Sequence, residues 1–121
     1  MQNPFKGVHS GAITYVAAEA IPANTPVKFN ATGQVVKAAA LTDAAIGATI
    51  DGAAGNGDIV AVAVFGAHPG TIAVVAGAGG MTAGGAVSPI GTKVTTGLTI
   101  GIALSDAAAG KVFELAHKPA T

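Results

Sequence analysis

Short apolar runs alternate along this chain with turn-forming glycine, asparagine and proline residues. Runs of this length, rich in valine, isoleucine and threonine and bounded by turn residues, predict β-strands rather than helices. The predicted strands are residues 12–17, 26–30, 34–38, 45–50, 58–65, 71–76, 86–88, 93–95, 98–104 and 111–117. Only residues 38–45 have a pattern that would also suit a short helix, with Thr42 and Asp43 as a local turn or cap.

The residues between these runs carry the chemistry of tight turns. Asn56-Gly57 stands between two apolar runs and is the strongest hairpin signal, because both residue types accept a positive φ. Other predicted turns contain Thr32-Gly33, Pro69-Gly70, Gly79-Gly80, Gly84-Gly85 and Ala109-Gly110. Regular short strands with frequent turns predict an all-β fold: a small β-sandwich or β-barrel of short antiparallel strands, with glycine-rich turns and at most one short helix.

Side-chain alternation assigns faces to some of the predicted strands. Ile100, Ile102 and Leu104 are spaced two apart, so we expect them to share one face of their strand. Residues 111–117 alternate between apolar and polar or small side chains, which predicts a half-buried strand. Residues 59–65 are apolar throughout, which predicts a strand in the centre of a sheet or at an interface.

One stretch of the chain resembles another. Residues 46–60 and 100–113 both contain an isoleucine-glycine pair, then two alanines, a glycine turn and an apolar run. Two interpretations stay open: an internal duplication, which the common order of the features favours, and chance similarity in a chain rich in alanine and glycine. We predict an N-terminal arm over residues 1–12 and a single β domain over residues 13–121, with possible repeat halves at about 22–66 and 82–117.

The charge content of the chain is low and balanced, which excludes one class of partner. Six lysines balance six carboxylates for a net charge of zero, and there is no arginine. A nucleic-acid-binding protein needs a basic stripe to displace counterions, and usually arginine to contact bases. We therefore expect no nucleic-acid partner. A surface with little charge also repels copies of itself weakly, which favours association.

A long uncharged stretch has the hydropathy of a membrane segment but not its continuity. No residue between Ile59 and Thr92 carries a formal charge, apart from a proton that His68 can take up. Pro69, Gly77 and later glycines divide the stretch into short β-like runs, and alanine and glycine contribute little to membrane insertion. The N-terminal residues are too polar for a signal peptide. We expect no membrane partner and no cleaved leader.

None of the polar residues forms a pattern typical of a catalytic or metal site. His9, His68 and His117 are far apart and lack the spacing of zinc ligands. The carboxylates lack the aromatic cleft of a glycosidase, and no serine stands in a nucleophile-elbow sequence. Turn or cap roles are expected for Asp51, Asp58 and Asp106. We therefore predict that the protein is not an enzyme and holds no cofactor and no metal.

A series of hydrophobic and glycine patterns carries a resemblance to a known family. The patterns occupy residues 26–29, 32–38, 45–48, 57–66 and 100–112. Over roughly residues 22–115 the chain resembles the capsid decoration (head stabilisation, or cement) proteins of tailed bacteriophages. The resemblance implies an all-β protein on the outside of the capsid, often trimeric, that links neighbouring shell subunits after the shell expands.

From this resemblance we expect a structural virion protein on the outer surface of the mature capsid, made in the cytoplasm of the bacterial host. Its expected partners are the major capsid protein and further copies of itself in a homotrimer. Residues 1–12 fall outside the resemblance, and an N-terminal arm often contacts the shell in such proteins. The expected capsid contacts are Gln2, Asn3, Pro4, Phe5 and Lys6.

Two other functions stay open from the sequence. A carbohydrate-binding or adhesive β-module would use exposed loops such as residues 77–85, although the chain has no tryptophan and a single tyrosine for sugar contacts. The second alternative is another virion component, such as a tail or baseplate β-protein. Assembly symmetry distinguishes a tail protein from a capsid protein, since a hexameric ring would indicate the tail and a trimer the capsid.

Overall fold

Residues 12–121 are described by a computed structural model of the chain, and their regular structure is entirely β. The nine strands are β1 (Ala12–Val16), β2 (Pro26–Phe29), β3 (Val35–Lys37), β4 (Gly47–Thr49), β5 (Ile59–Val64), β6 (Ile72–Val75), β7 (Ala86–Val87), β8 (Gly101–Ala103) and β9 (Val112–His117). Over this range no helix is present that is long and apolar enough to cross a membrane. Several of the turns contain a glycine with positive φ, as at Gly57 and Gly110.

The strands form two antiparallel sheets that pack as a small sandwich. The first sheet has five strands in the order β1-β5-β4-β2-β3, and the second has four in the order β6-β9-β8-β7. Every neighbouring pair of strands is antiparallel. The predicted all-β class is confirmed, and the architecture is the sandwich rather than a closed barrel. We call residues 12–66 the first half and residues 71–121 the second half.

The apolar strand β5 lies inside its sheet, as its sequence predicted. It pairs with β1 on one side and with β4 on the other. Val60 and Val62 point to one face and lie in a buried cluster of the first half, whereas Ala63 points to the opposite face and lies in a second cluster. Because both faces are covered at these positions, the strand has no polar alternation.

The two buried clusters divide the core unequally. The smaller cluster belongs to the first half and consists of Ala17, Ile21, Val27, Val35, Ala53, Val60 and Val62. The larger cluster combines the interior of the second half with residues of the first: Ala45, Ala48, Ala63, Phe65, Ile72, Val74, Ala76, Met81, Val87, Ile100, Ala103, Phe113 and Leu115. The second half is therefore packed directly onto the first sheet, and the two halves share the larger cluster.

The strands of the two halves are paired in the same register. In the first sheet Val27 of β2 lies opposite Gly47 of β4, and in the second sheet Val87 of β7 lies opposite Gly101 of β8. The isolated bridges outside the strands correspond in the same way: Ile21 with Ala53, and Met81 with Ala107. By this correspondence β1, β2, β4 and β5 match β6, β7, β8 and β9. On this shared register we propose an internal duplication whose halves extend beyond 22–66 and 82–117.

A β-bulge in the second sheet overturns one predicted face. The Ile100 N–H donates to the Val87 carbonyl over 2.9 Å although Gly101 is the register partner of Val87, so two residues oppose one. The bulge reverses the alternation, and Ile100 is buried while Ile102 and Leu104 are exposed. The prediction that these three side chains share a face is wrong. Ile46 and Gly47 form the same bulge opposite Val27 in the first sheet.

Two predicted elements are absent from the described chain. Residues 93–95 form no strand, because Lys93 makes only an isolated bridge to Val87 at the end of a tight turn. That turn is closed by the hydroxyls of Ser88 and Thr92, which lie 2.7 Å apart. Residues 38–45 form turns rather than a helix, and the Asp43 carboxylate accepts the backbone N–H groups of Ala39 and Ala40 and so stabilises the turn.

Candidate interaction surface

Several large apolar side chains remain exposed on the surface of the sandwich. They are Val16, Phe29, Leu41, Ile50, Ile59, Ile102, Leu104 and Val112. A single exposed apolar residue is ordinary, whereas a group on one face is typical of a contact site. Four of these residues belong to two corresponding faces, one on each sheet: Val16 and Ile59 on the first, and Ile102 and Val112 on the second.

The outer face of the first sheet points away from the smaller cluster. It consists of Thr14, Val16, Ala48, Ile59, Ala61 and Ala63. Ala48 and Ala63 are only 0% and 3% exposed, because the second half packs over them. Ile59, further along the same face, is 62% exposed. One end of this face is therefore an internal contact, and the other end is surface.

Apart from Ala73, which lies beside the first half, the outer face of the second sheet has no such cover from residues 12–121. It consists of Ala73, Val75, Ala86, Ile102, Val112, Glu114 and Ala116. Ile102 and Val112 are 51% and 44% exposed, and Leu104, two residues beyond Ile102, is 54% exposed. The carboxylate of Glu114 accepts a hydrogen bond of 2.6 Å from the Thr71 hydroxyl. The apolar part of this face is the candidate site for contact with another protein.

A shallow apolar cavity marks the junction between the halves. Its volume is about 210 Å³, and it lies between Ala63 of the first half and Ile72 and Ala73 of the second. Beside it, the Val75 N–H on the free side of β6 donates to the Asn24 carbonyl over 2.8 Å. The junction therefore combines apolar packing with one backbone hydrogen bond.

The fold brings together two histidines that are far apart in sequence. The rings of His68 and His117 have centroids 6.2 Å apart. His117 Nδ1 accepts the Gly66 N–H over 2.8 Å, so its Nε2 carries the hydrogen that faces the Gly70 carbonyl at 2.9 Å. These bonds hold the loop between the two halves. Among residues 12–121, no three histidine or acidic side chains form a group that could bind a metal, and His9 lies outside the described residues.

All six carboxylates bind hydrogen-bond donors of loops or strands. Asp58 accepts the N–H groups of Ala54 and Gly55, which confirms its predicted turn role. The remaining acceptor and donor pairs are Glu19 with Lys37 N–H, Asp43 with Ala39 and Ala40 N–H, Asp51 with Ala61 N–H, Asp106 with Ala83 N–H, and Glu114 with the Thr71 hydroxyl. Five of these acids therefore fix the backbone and Glu114 fixes a side chain, so all six have a structural role.

Asp43 also makes the single ion pair found among residues 12–121. Its Oδ1 lies 3.0 Å from Lys28 Nζ, while its Oδ2 accepts two backbone N–H groups. The hydrogen bond from the Ala39 N–H, the Lys28 ammonium and the Ala40 N–H together lower the pKa of the Asp43 carboxyl below its ordinary value of 3.8. The pair ties β2 to the loop before β4.

The predicted capsid contacts Gln2, Asn3, Pro4, Phe5 and Lys6 lie outside the described residues. The sequence pattern did not identify the exposed outer face of the second sheet, because the bulge at Gly101 interrupts the regular alternation of side chains along the strand. A second signal was available in the sequence. Gly66-Ala67-His68-Pro69-Gly70 precedes β6, and Gly7-Val8-His9-Ser10-Gly11 precedes β1 with the same spacing to an isoleucine and a valine-alanine pair. This motif relates β1 to β6.

Comparison with known proteins shows a similarity of fold and no similarity to a sequence family. No family model matches the sequence, and no curated protein matches it. The structure is similar to the crystal structure of the head fiber gp8.5 N base of bacteriophage phi29, with a TM-score of 0.66 and 16% sequence identity. The match covers 91% of this chain and 95% of that chain. The two proteins therefore share a fold that includes both sheets.

Proposed function

We propose that the chain is a structural protein of a tailed-bacteriophage virion, held on the outer surface of the mature capsid, and not an enzyme. The observation that carries the proposal is the fold shared with a phage head fiber base over 91% of the chain. The resemblance of the sequence to cement proteins supports the same location on separate grounds.

The proposed mechanism is preferential binding to the assembled shell. The chain binds the major capsid protein through an arm at Gln2–Lys6 and bridges neighbouring subunits as a homotrimer. A protein that binds the mature lattice and not its dissociated subunits stabilises that lattice by mass action. Alanine, valine and glycine lose little side-chain entropy when they are ordered at a contact, which suits many modest contacts repeated by symmetry.

Two measurements on particles of the phage that encodes the protein test this proposal: its copy number per virion and its binding to shells. Quantitative mass spectrometry of purified virions is expected to give a copy number comparable with that of the major capsid protein. Purified protein is expected to bind expanded shells that lack it. Virions with only a few copies, or none, would contradict the capsid location and favour a tail or adhesive role.

A variant in the arm sharpens this test. Phe5→Ala combined with Lys6→Ala removes the apolar contact and the charge of the proposed arm, and we expect it to lose shell binding while the domain stays folded. Ile59→Ser, a change at an exposed position of the sandwich, is the control and is expected to bind normally. Full occupancy by the arm variant would place the shell contact elsewhere.

A further inference from the structure

The two outer faces correspond residue by residue but are covered differently. Ala48 and Ala63 of the first sheet correspond to Ile102 and Ala116 of the second, by the shared pairing of β4 with β5 and of β8 with β9. The first pair is buried beneath the second half of the same chain. The second pair is exposed, and Ile102 offers a larger apolar surface than the alanine it matches. The same structural position is a contact in one half and an open face in the other.

The backbone beside the two outer faces also differs between the halves, in whether one carbonyl group is hydrogen-bonded. Asn24 and Gly84 correspond: both have a positive φ, and their N–H groups donate to Thr49 and Ala103 over 2.7 Å. The Asn24 carbonyl accepts the Val75 N–H of β6. No backbone N–H of residues 12–121 is bonded to the Gly84 carbonyl. An acceptor used at the internal junction therefore has an unused counterpart beside the exposed face.

The element that covers the first face has its own counterpart in β1. β6 pairs with β9 as β1 pairs with β5, so that Val75 corresponds to Val16. β1 is the outermost strand of the first sheet, and it carries the same Gly-x-His-x-Gly motif before it as β6. A strand of matching register is thus available at an edge of the first sheet.

We propose that the outer face of the second sheet binds the β1 edge of a second copy of this chain, as the first sheet binds β6. The Val16 N–H of that copy donates to the Gly84 carbonyl, and its Thr14 lies over Ile102 and Ala116. The contact joins different surfaces of the two copies, so it closes into a ring when the rotation allows. This inference rests on the homotrimer within the proposed function and names the surface that builds it.

Glu114 and Val112 lie at the rim of such a contact rather than within it. They correspond to Ala61 and Ile59, which are not among the residues around the cavity at the internal junction. Ile59 stays 62% exposed although the other end of its face is covered. The carboxylate of Glu114 therefore stays exposed to solvent and hydrogen-bonded to Thr71 when the contact forms, and no charge is buried.

The experiment compares two exposed isoleucines in the full-length chain. Ile102→Lys places an ammonium in the proposed contact, and Ile59→Lys places the same charge outside it at a more exposed position. Light scattering with size-exclusion chromatography over a concentration series is expected to show an oligomer for the wild type and for Ile59→Lys. Ile102→Lys is expected to raise the dissociation constant by about tenfold or more, with an unchanged circular dichroism spectrum.

A cross-link gives a second measurement that does not depend on a disruptive change. The chain has no cysteine, so Thr14→Cys and Ala116→Cys can be introduced together and oxidised. Bands of two or more disulfide-linked chains on a non-reducing gel are expected. The inference would be overturned if the gel showed monomeric bands only. It would also be overturned if the wild type were monomeric at all concentrations, or if the Ile102→Lys protein still formed the oligomer.

Shell binding separates this inference from the proposed function. Oligomers that form as described but do not bind capsids would contradict the capsid role and leave the copy-to-copy contact standing. Monomers that bind capsids in high copy number would support the capsid role and overturn the contact.

Discussion

The two halves of the molecule have the same strand pairing, yet they place their large side chains differently. At corresponding interior positions the first half has Val60 and the second has Phe113. At corresponding outer positions the first half has Ala48 and the second has Ile102. The first sheet is therefore thin enough on its outer side to accept another layer, whereas the second sheet has a bulkier interior and an open apolar outer face.

The difference shows that backbone pairing and side-chain volume are separate determinants of this fold. The pairing of the four corresponding strands and the bulges are the same in both sheets, so backbone hydrogen bonds define the shape of each half. Side-chain size then decides which face is packed and which is left for a contact, because interiors tolerate little unfilled or excess volume. Matched substitutions in the two halves can test each determinant.

The largest effect is expected at the bulge glycines. A Cβ at Gly101 would lie 2.0 Å from the Ala116 carbonyl oxygen, and one at Gly47 would lie 2.3 Å from the oxygen of Ala63. Gly101 also has a φ of 142°, which side-chain-bearing residues rarely adopt. We expect Gly101→Ala to destabilise the fold by about 3 kcal/mol or more, and Gly47→Ala somewhat less. Urea unfolding followed by circular dichroism measures both.

Gly55→Ala is the matched control for the bulge variants. A Cβ at Gly55 meets nothing within 4 Å, and the residue is not in the positive-φ region. Its unfolding midpoint should equal that of the wild type. A Gly101→Ala protein as stable as this control would mean that the close approach of β8 to β9 is not required.

An intermediate effect is expected from truncating the two corresponding interior residues. Phe113 is 1% exposed and Val60 is fully buried. Phe113→Ala should cost about 3–5 kcal/mol of unfolding free energy, because it leaves a large cavity in the shared interior. Val60→Ala removes less volume and should cost roughly 1–2 kcal/mol. Equal losses in denaturant titrations would contradict the unequal division of the core.

The smallest effect is expected at the loops that follow β3 and β7. Asp43 stabilises its loop as a carboxylate, and its lowered pKa means that this contribution is complete above pH 3.8 and is lost as the pH falls through the lower, folded-state pKa. Asp43→Asn should therefore lower the unfolding temperature at neutral pH, with the difference from wild type shrinking near pH 3.

Ser88→Ala provides the comparison in the second half. The turn there is closed by neutral hydroxyls. The decrease in unfolding temperature caused by Ser88→Ala should therefore be the same at neutral pH and near pH 3. An Asp43→Asn deficit that stays constant on acidification would show that the ion pair with Lys28 contributes nothing.

Much of the strand pattern followed from the sequence. The central position of β5 could be predicted because residues 59–65 are apolar on both faces, and the alternation of residues 111–117 matches the buried and exposed sides of β9. These inferences depend on local periodicity, which the sequence displays directly. The fold class followed from the same short runs and their glycine turns.

The errors arose where distant residues decide the local structure. The face shared by Ile100 and Ile102 was mispredicted because the bulge depends on the pairing of Gly101 with Val87. Residues 93–95 have strand-like side chains, but the Ser88–Thr92 turn leaves them only one bridge. The candidate contact face was missed for the same reason, because the bulge at Gly101 turns Ile102 to the side opposite Ile100. The arm at residues 1–12 stays a prediction.

The bonding of the acids has a consequence for the response of the protein to ionic strength. Among residues 12–121, five of the six carboxylates bind only uncharged backbone or hydroxyl donors, and Asp43 is the one that also contacts a lysine. Dissolved ions screen attraction between exposed charges, with a screening length of about 10 Å at 0.1 M, and they weaken a hydrogen bond to a neutral amide far less. Apolar contacts are strengthened by salts such as sulfate. The folded domain should therefore keep its stability through large changes in the salinity of its surroundings.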